Sequence, residues 1–391
     1  MQIEVRLDGS RTPIERSVFV DLLGNSIANG RAAYLQALEA REIPFSDLVE
    51  LARVGDIPYS LFFAPRALVL EQLQTKSEKL LQGLTRDTFT VNSRSTVDLR
   101  DIELIVKDLL RKQELLKKHD GTLVKNPIVG RLRKPGRSVQ EDARALLDAL
   151  ELDAHSIRSA KSKEAALELM IRHLEAKQVL VSRSVNNFMP QRLQGVKFSG
   201  MTIRDTKVPY IFLAGGDHGD SQEPAGRQVF TLTLMAVLVA RGIFAPVTYD
   251  GRSLAPDPGR EYDIVGQILM PVEDVGRVDL SSLEAVKTAA DLFKVTPSAM
   301  TVRGMRMGLI SPDVAGGYLD ELEIEYSGRA RPQPRAPKPV NAIRKYNGRE
   351  FSVRMLEALD ARRLSPGDFC RTVCLNRIRP SEINDFREAL G

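Results

Sequence analysis

Apolar side chains recur along this chain at distinct spacings, and each spacing predicts a different element. Met1-Gln2-Ile3-Glu4-Val5-Arg6-Leu7 alternates polar and apolar positions, the two-residue period of a half-buried strand. Residues 32–38 and 46–53 carry apolar side chains at three- and four-residue steps instead. Asp47 and Glu50 fall in the first turn of the second of these helices, which suits its dipole. Gly55-Asp56-Ile57-Pro58 then breaks the chain, and Pro58 can open another helix. Helix, short turn, helix suggests a helix-turn-helix. The segment after the turn, Tyr59-Ser60-Leu61-Phe62-Phe63-Ala64-Pro65, is apolar and ended by proline. It lacks the Arg, Lys, Asn or Gln that reach base edges, so it reads as a packing helix before a DNA reader.

Further on, residues 98–118 form a long amphipathic helix, and Val139–Leu150 and residues 162–177 read as two more, with Ser162 or a neighbour as N-cap of the last. Residues 178–182 (Q-V-L-V-S) begin a strand, and Phe198-Ser199-Gly200 followed by residues 208–213 (V-P-Y-I-F-L) reads as a strand pair. Residues 229–240 (V-F-T-L-T-L-M-A-V-L-V-A) form the longest apolar run, which stops at Arg241. That is well short of the ~20 residues of a membrane span. Residues 283–310 read as a helix pair. Residues 327–339 (S-G-R-A-R-P-Q-P-R-A-P-K-P) read as an extended linker. Helices are expected again over residues 351–362, 366–375 and 380–390. The resulting organisation is an N-terminal strand with helix-turn-helix-like helices (1–75), a helical connecting region (76–185), a domain over 186–325, the linker (326–340) and a C-terminal helical region (341–391).

The 391 residues, 43% hydrophobic and 27% charged, are ordinary for a globular protein of two or three compact units. The net charge of +5 is a small excess, compatible with nucleic acid or acidic partners without demanding either. The absence of Trp argues against base-stacking platforms. Cys370 and Cys374, the only cysteines, would share one helix face and read as reduced thiols. With a charged N-terminal strand in place of a signal peptide and no membrane span, a cytoplasmic location is expected.

Candidate chemistry is sparse. The Lys125, Arg131, Arg133, Lys134 and Arg137 loop could meet phosphate or a partner, though a solvated loop is its simpler reading. Gly215-Gly216-Asp217-His218-Gly219-Asp220, with Glu223, could gather a metal, but its composition is that of a turn. His119, His155 and His173 stand singly on charged helices and are expected to face solvent. There is no nucleophile elbow, P-loop or dinucleotide fingerprint.

The motifs from residue 198 onward, taken in order, resemble the zinc peptidases of the ImmA/IrrE family. Phe198-Ser199-Gly200 and Val208-Pro209-Tyr210-Ile211-Phe212-Leu213 are similar to that family's F-S-G…P-x-I-F-I-N strand pair. Phe230-Thr231-Leu232 is similar to the start of its active-site helix, F-T-L-A-H-E-L-G-H-L-L, and Ile268-Leu269-Met270-Pro271 to its L-L-M-P. Residues 283–310 resemble the helix pair after the catalytic region, residues 43–65 its N-terminal portion, and residues 351–369 the tail of long members. The five positions of the His-Glu-x-x-His motif are here Leu234-Met235-Ala236-Val237-Leu238. Leucine offers zinc no ligand, and a thioether at Met235 cannot act as general base. An acidic third ligand would fall near Asp257, Glu261 or Asp263, with no ground for choosing among them.

The resemblance implies an α+β fold, with a small mixed sheet, a zincin-like helix and helical regions at both ends. It implies a pseudo-peptidase with vestigial active-site positions Leu234, Met235 and Leu238, without metal or cofactor. The function implied is a non-catalytic regulator binding a protein partner, a helix-turn-helix repressor or antitoxin of a mobile element or stress response. Tyr210, Phe212, Asp217 and His218 would line the partner groove. The competing expectation is that the former cleft has collapsed into core. Two alternatives stand beside this function: a DNA-binding transcription regulator using residues 30–65 and the basic loop, and a metallopeptidase with a relocated metal site.

Overall fold

A computed structural model describes residues 2–24, 26, 28, 31–55, 57–81, 84, 89–91, 99–191, 193, 198–215, 223–249, 259–327 and 337–391. The chain is mixed α and β, with helices flanking two small mixed sheets. It divides into two compact units. No helix among the described residues is long and apolar enough to cross a membrane.

The first unit comprises residues 1–82, 98–108 and 189–196. Strands β1 (Gln2–Leu7) and β2 (Ser10–Glu15) form an antiparallel hairpin, and β3 (Glu42–Pro44) pairs in parallel with the other edge of β1. Ile3 and Val5 alternate inward, as the period of the segment requires, beneath a core that includes Phe19, Tyr34 and Phe62. Phe19 stacks on Tyr34 at 5.4 Å between ring centres.

The helix-turn-helix expectation is corrected here. Helices Ala32–Ala40 and Phe45–Val54 are separated by β3, whose Ile43 is buried opposite Val5 in the sheet. Tyr59–Phe63, the segment expected as a further helix, is a single 3-10 turn. Pro65 holds Ala64 in an extended conformation (φ −84°, ψ 153°), so the helix expected after Pro58 ends within five residues.

The second unit comprises residues 83–97, 109–188 and 197–391. Its sheet adds β4 (Phe89–Val91), β5 (Leu180–Arg183), β6 (Gly200–Ile203), β7 (Tyr210–Leu213) and β8 (Pro246–Tyr249), in the order β4-β8-β6-β7-β5. β7 pairs in parallel with β5 and antiparallel with β6. The helix Ala225–Arg241 packs on β6 and β7, with helices Lys163–Ala176 and Arg260–Leu269 against it. Ser162 caps the first of those two, its hydroxyl accepting the Ala165 N–H at 3.2 Å.

The outer edge of β5 is closed by the C-terminal region. Leu180 N and Ser184 N donate inward, to Pro209 O and Leu213 O, so Val181 N faces outward. The Glu175 carboxylate accepts that N–H at 3.5 Å and, at 3.2 Å, the N–H of Glu350 in the first turn of helix Arg349–Asp360. The Ser182 hydroxyl donates to the carbonyl of Tyr346 in helix Pro339–Asn347. Gly348 joins the two helices at φ +81°, and a β-carbon there would lie 2.4 Å from Val181 O. These contacts occupy an edge that would otherwise invite another strand. The expected linker falls largely on residues 328–336, outside the described residues; the helix Pro312–Ser327 leads up to it.

Candidate functional site

From Val229 to Ala240 the helix Ala225–Arg241 carries apolar side chains on all faces, Thr231 and Thr233 apart, the pattern of a helix buried on every side. Pro224 precedes it, and Gly242 ends it in the left-handed conformation at φ +72°. Every residue from Thr231 to Ala240 is buried. Thr233, a polar residue within this run, donates its hydroxyl to Val229 O at 2.8 Å. Leu234 is 3% exposed, and Met235 and Leu238 are fully buried. Met235 lies against the start of β6: a β-carbon on Gly200 would stand 2.8 Å from its sulfur and 2.4 Å from Phe212 O. Residues 234–238 are therefore all part of the hydrophobic core.

The groove expected along Tyr210 and Phe212 is corrected on two counts. Both side chains are fully buried, and β7 is an inner strand with no free edge for a peptide to join. Alternation along the strand places Ile211 and Leu213 in the core cluster around Met235, a cluster that contains neither Tyr210 nor Phe212. Phe212 instead stacks on Phe198, with 6.0 Å between ring centres. Asp217 and His218, together with Asp220 and Asp257, lie outside the described residues.

Of the acidic residues considered as a third ligand, Glu261 pairs with Arg241 at 3.2 Å, at the C-terminal end of the core helix. Asp263 lies in the first turn of helix Arg260–Leu269, close enough to Arg303 to act on its charge. Glu223 is the residue whose environment the sequence does not reveal. Its Oε1 accepts from the Ser199 hydroxyl at 3.4 Å, and its buried Oε2 has no hydrogen-bond partner among the described residues. Burial pushes its pKa up to about 7, against the lowering influence of Arg227 and Ser199. Gln228 Nε2 donates to Glu223 O at 2.9 Å and to Gly215 O at 3.3 Å, tying the helix start to the end of β7.

Among the described residues no three His, Cys, Asp or Glu side chains gather as a metal site. His119 corrects the expectation of a solvent-facing role: it is 8% exposed, and burial, with Lys118 and Arg363 nearby, lowers its pKa. His155 contacts the Ser159 hydroxyl at 3.0 Å and His173 the carbonyl of Leu150 at 3.0 Å, both local structural bonds. Cys370 and Cys374 are free and buried, and burial raises the pKa of each thiol.

Near the N-terminal end of the core helix lies a cavity of 860 Å³. Arg227, Lys287, Leu319, Leu322 and Tyr326 are among the residues that line it, so it offers both charge and apolar surface. No family model, curated protein or solved structure matches this chain.

Proposed function

We propose that this chain is a pseudo-peptidase of the ImmA/IrrE type, a cytoplasmic regulator that binds a protein partner without cutting it. The partner class is a helix-turn-helix repressor or an antitoxin-like protein. The observation that carries the reading is the burial of Leu234, Met235 and Leu238 at the positions of two metal ligands and a general base. The motif order from Phe198 to Ile310 supports the kinship, and the packing of Gly200 against Met235 supports the loss of hydrolysis. With Tyr210 and Phe212 buried, recognition falls to the cavity at the start of the core helix, where Leu319 and Tyr326 offer apolar contact.

The test is purification of the full chain from its native host, with mass measurement of any bound repressor-like or antitoxin-like protein. The expected result is a stable complex whose partner has its intact mass, and protein that carries no stoichiometric zinc. A cleaved partner or one zinc per chain would overturn the proposal. So would a complex indifferent to Leu319→Glu and Tyr326→Ala together, as far as the binding surface is concerned.

A further inference from the structure

The segment 125–137 has no helix or strand, yet the second unit holds its backbone at many points. Asn126 is buried; its Nδ2 donates to Lys177 O and Lys207 O, and its Oδ1 accepts from Ile128 N and Val129 N. Gly130 N and Leu132 N donate to Val239 O and Ala240 O, in the last turn of the core helix. Arg241 Nη1 donates back to Leu132 O at 2.6 Å. Arg260 is clamped to Asp142 at 2.7 Å and donates to Gly136 O at 2.8 Å. Ile128 and Leu132 anchor the segment in the core.

What this fixed backbone presents is cationic. Lys125, Arg131, Arg133, Lys134 and Arg137 are all exposed, and none takes part in an ion pair among the described residues. Elsewhere in the same unit basic side chains do find partners, such as Lys117 with Asp205 at 2.8 Å and Lys287 with Glu325 at 2.7 Å. Unpaired cations on a preorganised backbone lose little conformational freedom when a polyanion binds.

We infer that the 125–137 loop is a binding surface for the phosphate backbone of double-stranded nucleic acid. Three of its five cations are arginines, whose planar forks match phosphate oxygens. The segment has no aromatic residue to insert into a membrane surface, which favours nucleic acid over anionic lipid. Its one amide side chain, Asn126, is buried and used internally, so the exposed polar side chains of the segment are its five cations. With no helix or strand in the segment to carry these cations into a groove, they contact phosphate oxygens, and binding is independent of sequence.

The test measures binding of the full chain to a fluorescent DNA duplex, a matching RNA duplex and phosphatidylserine vesicles over a range of salt. The variant is K125Q/R131Q/K134Q/R137Q; Arg133 is kept because its guanidinium lies over Gly242 at the core-helix end. A control, K118Q/K161Q/R172Q/R362Q, removes the same charge from exposed positions elsewhere. For the loop variant, duplex affinity should fall at least about tenfold at moderate salt, and the log–log salt slope should shrink by about 3 to 4. The control should bind within about twofold of the parent. An unchanged loop variant, a control that loses as much, or binding to vesicles and to neither duplex would overturn the inference.

Discussion

Gly200 and Met235 meet so closely that a β-carbon at position 200 would stand 2.8 Å from the methionine sulfur. The pairing joins the first residue of β6 to the middle of the core helix. Gly200→Ala should therefore destabilise the protein by about 1–3 kcal/mol, the usual cost of overpacking a core. In a Met235→Ala background the penalty should be smaller, because part of the collision is removed. Urea unfolding of the two single variants and the double variant measures this coupling. Strictly additive effects would show that the contact is not shared.

Introducing a His-Glu-x-x-His motif at residues 234–238 should harm the fold before it helps any chemistry. Leu234→His, Met235→Glu and Leu238→His together place three polar side chains in a region that is now almost wholly buried. An unpaired buried polar group costs about 1–3 kcal/mol. The triple variant should lose several kcal/mol of stability and purify without stoichiometric zinc. A folded triple variant carrying one zinc per chain would mean that these positions have room for a metal and its ligands.

Glu175 makes stability depend on pH in a direction opposite to that of most carboxylates. Burial raises its pKa to about 7 from an ordinary 4.5, despite the N–H groups of Val181 and Glu350 that favour the charged form. The folded state thus holds the proton more tightly than the unfolded chain. The resulting stabilisation is fully present below about pH 4.5 and is lost as pH rises through about 7. A shift of that size corresponds to about 3 kcal/mol. Glu223, raised to about the same value, acts in the same sense. Chemical denaturation between pH 5 and 8 should show this decline, and Glu175→Gln should flatten it. An equal slope in the variant would assign the decline to other groups.

Much of the local structure was legible before folding was considered. The alternation of residues 2–7, the three- and four-residue steps of 98–118 and the Ser162 cap each correspond to an element with nearly the expected limits. The strand Glu42–Pro44 was not legible, because a three-residue strand is too short for a period and exists only through its pairing with β1. The candidate groove failed for a related reason. Tyr210-Ile211-Phe212-Leu213 is apolar throughout, so the pattern contains no record of which face is which.

The two buried carboxylates and Lys112 mark the same boundary. Lys112 interrupts the apolar stripe Ile105-Leu109-Leu116 of its helix, and that irregularity is visible in the sequence. Its destination is not: the ammonium lies 3.8 Å above the ring of Tyr346, more than two hundred positions later in the chain. By itself the sequence determined where helices and strands could form, and it made residues 229–240 the longest apolar run of the chain. Only the tertiary structure decided that Met235 fills the space over Gly200, that Glu175 closes the sheet edge, and that Tyr210 and Phe212 turn away from the core helix. Local periodicity follows from backbone geometry within a few residues, whereas burial, desolvation and edge pairing depend on groups brought together from distant parts of the chain.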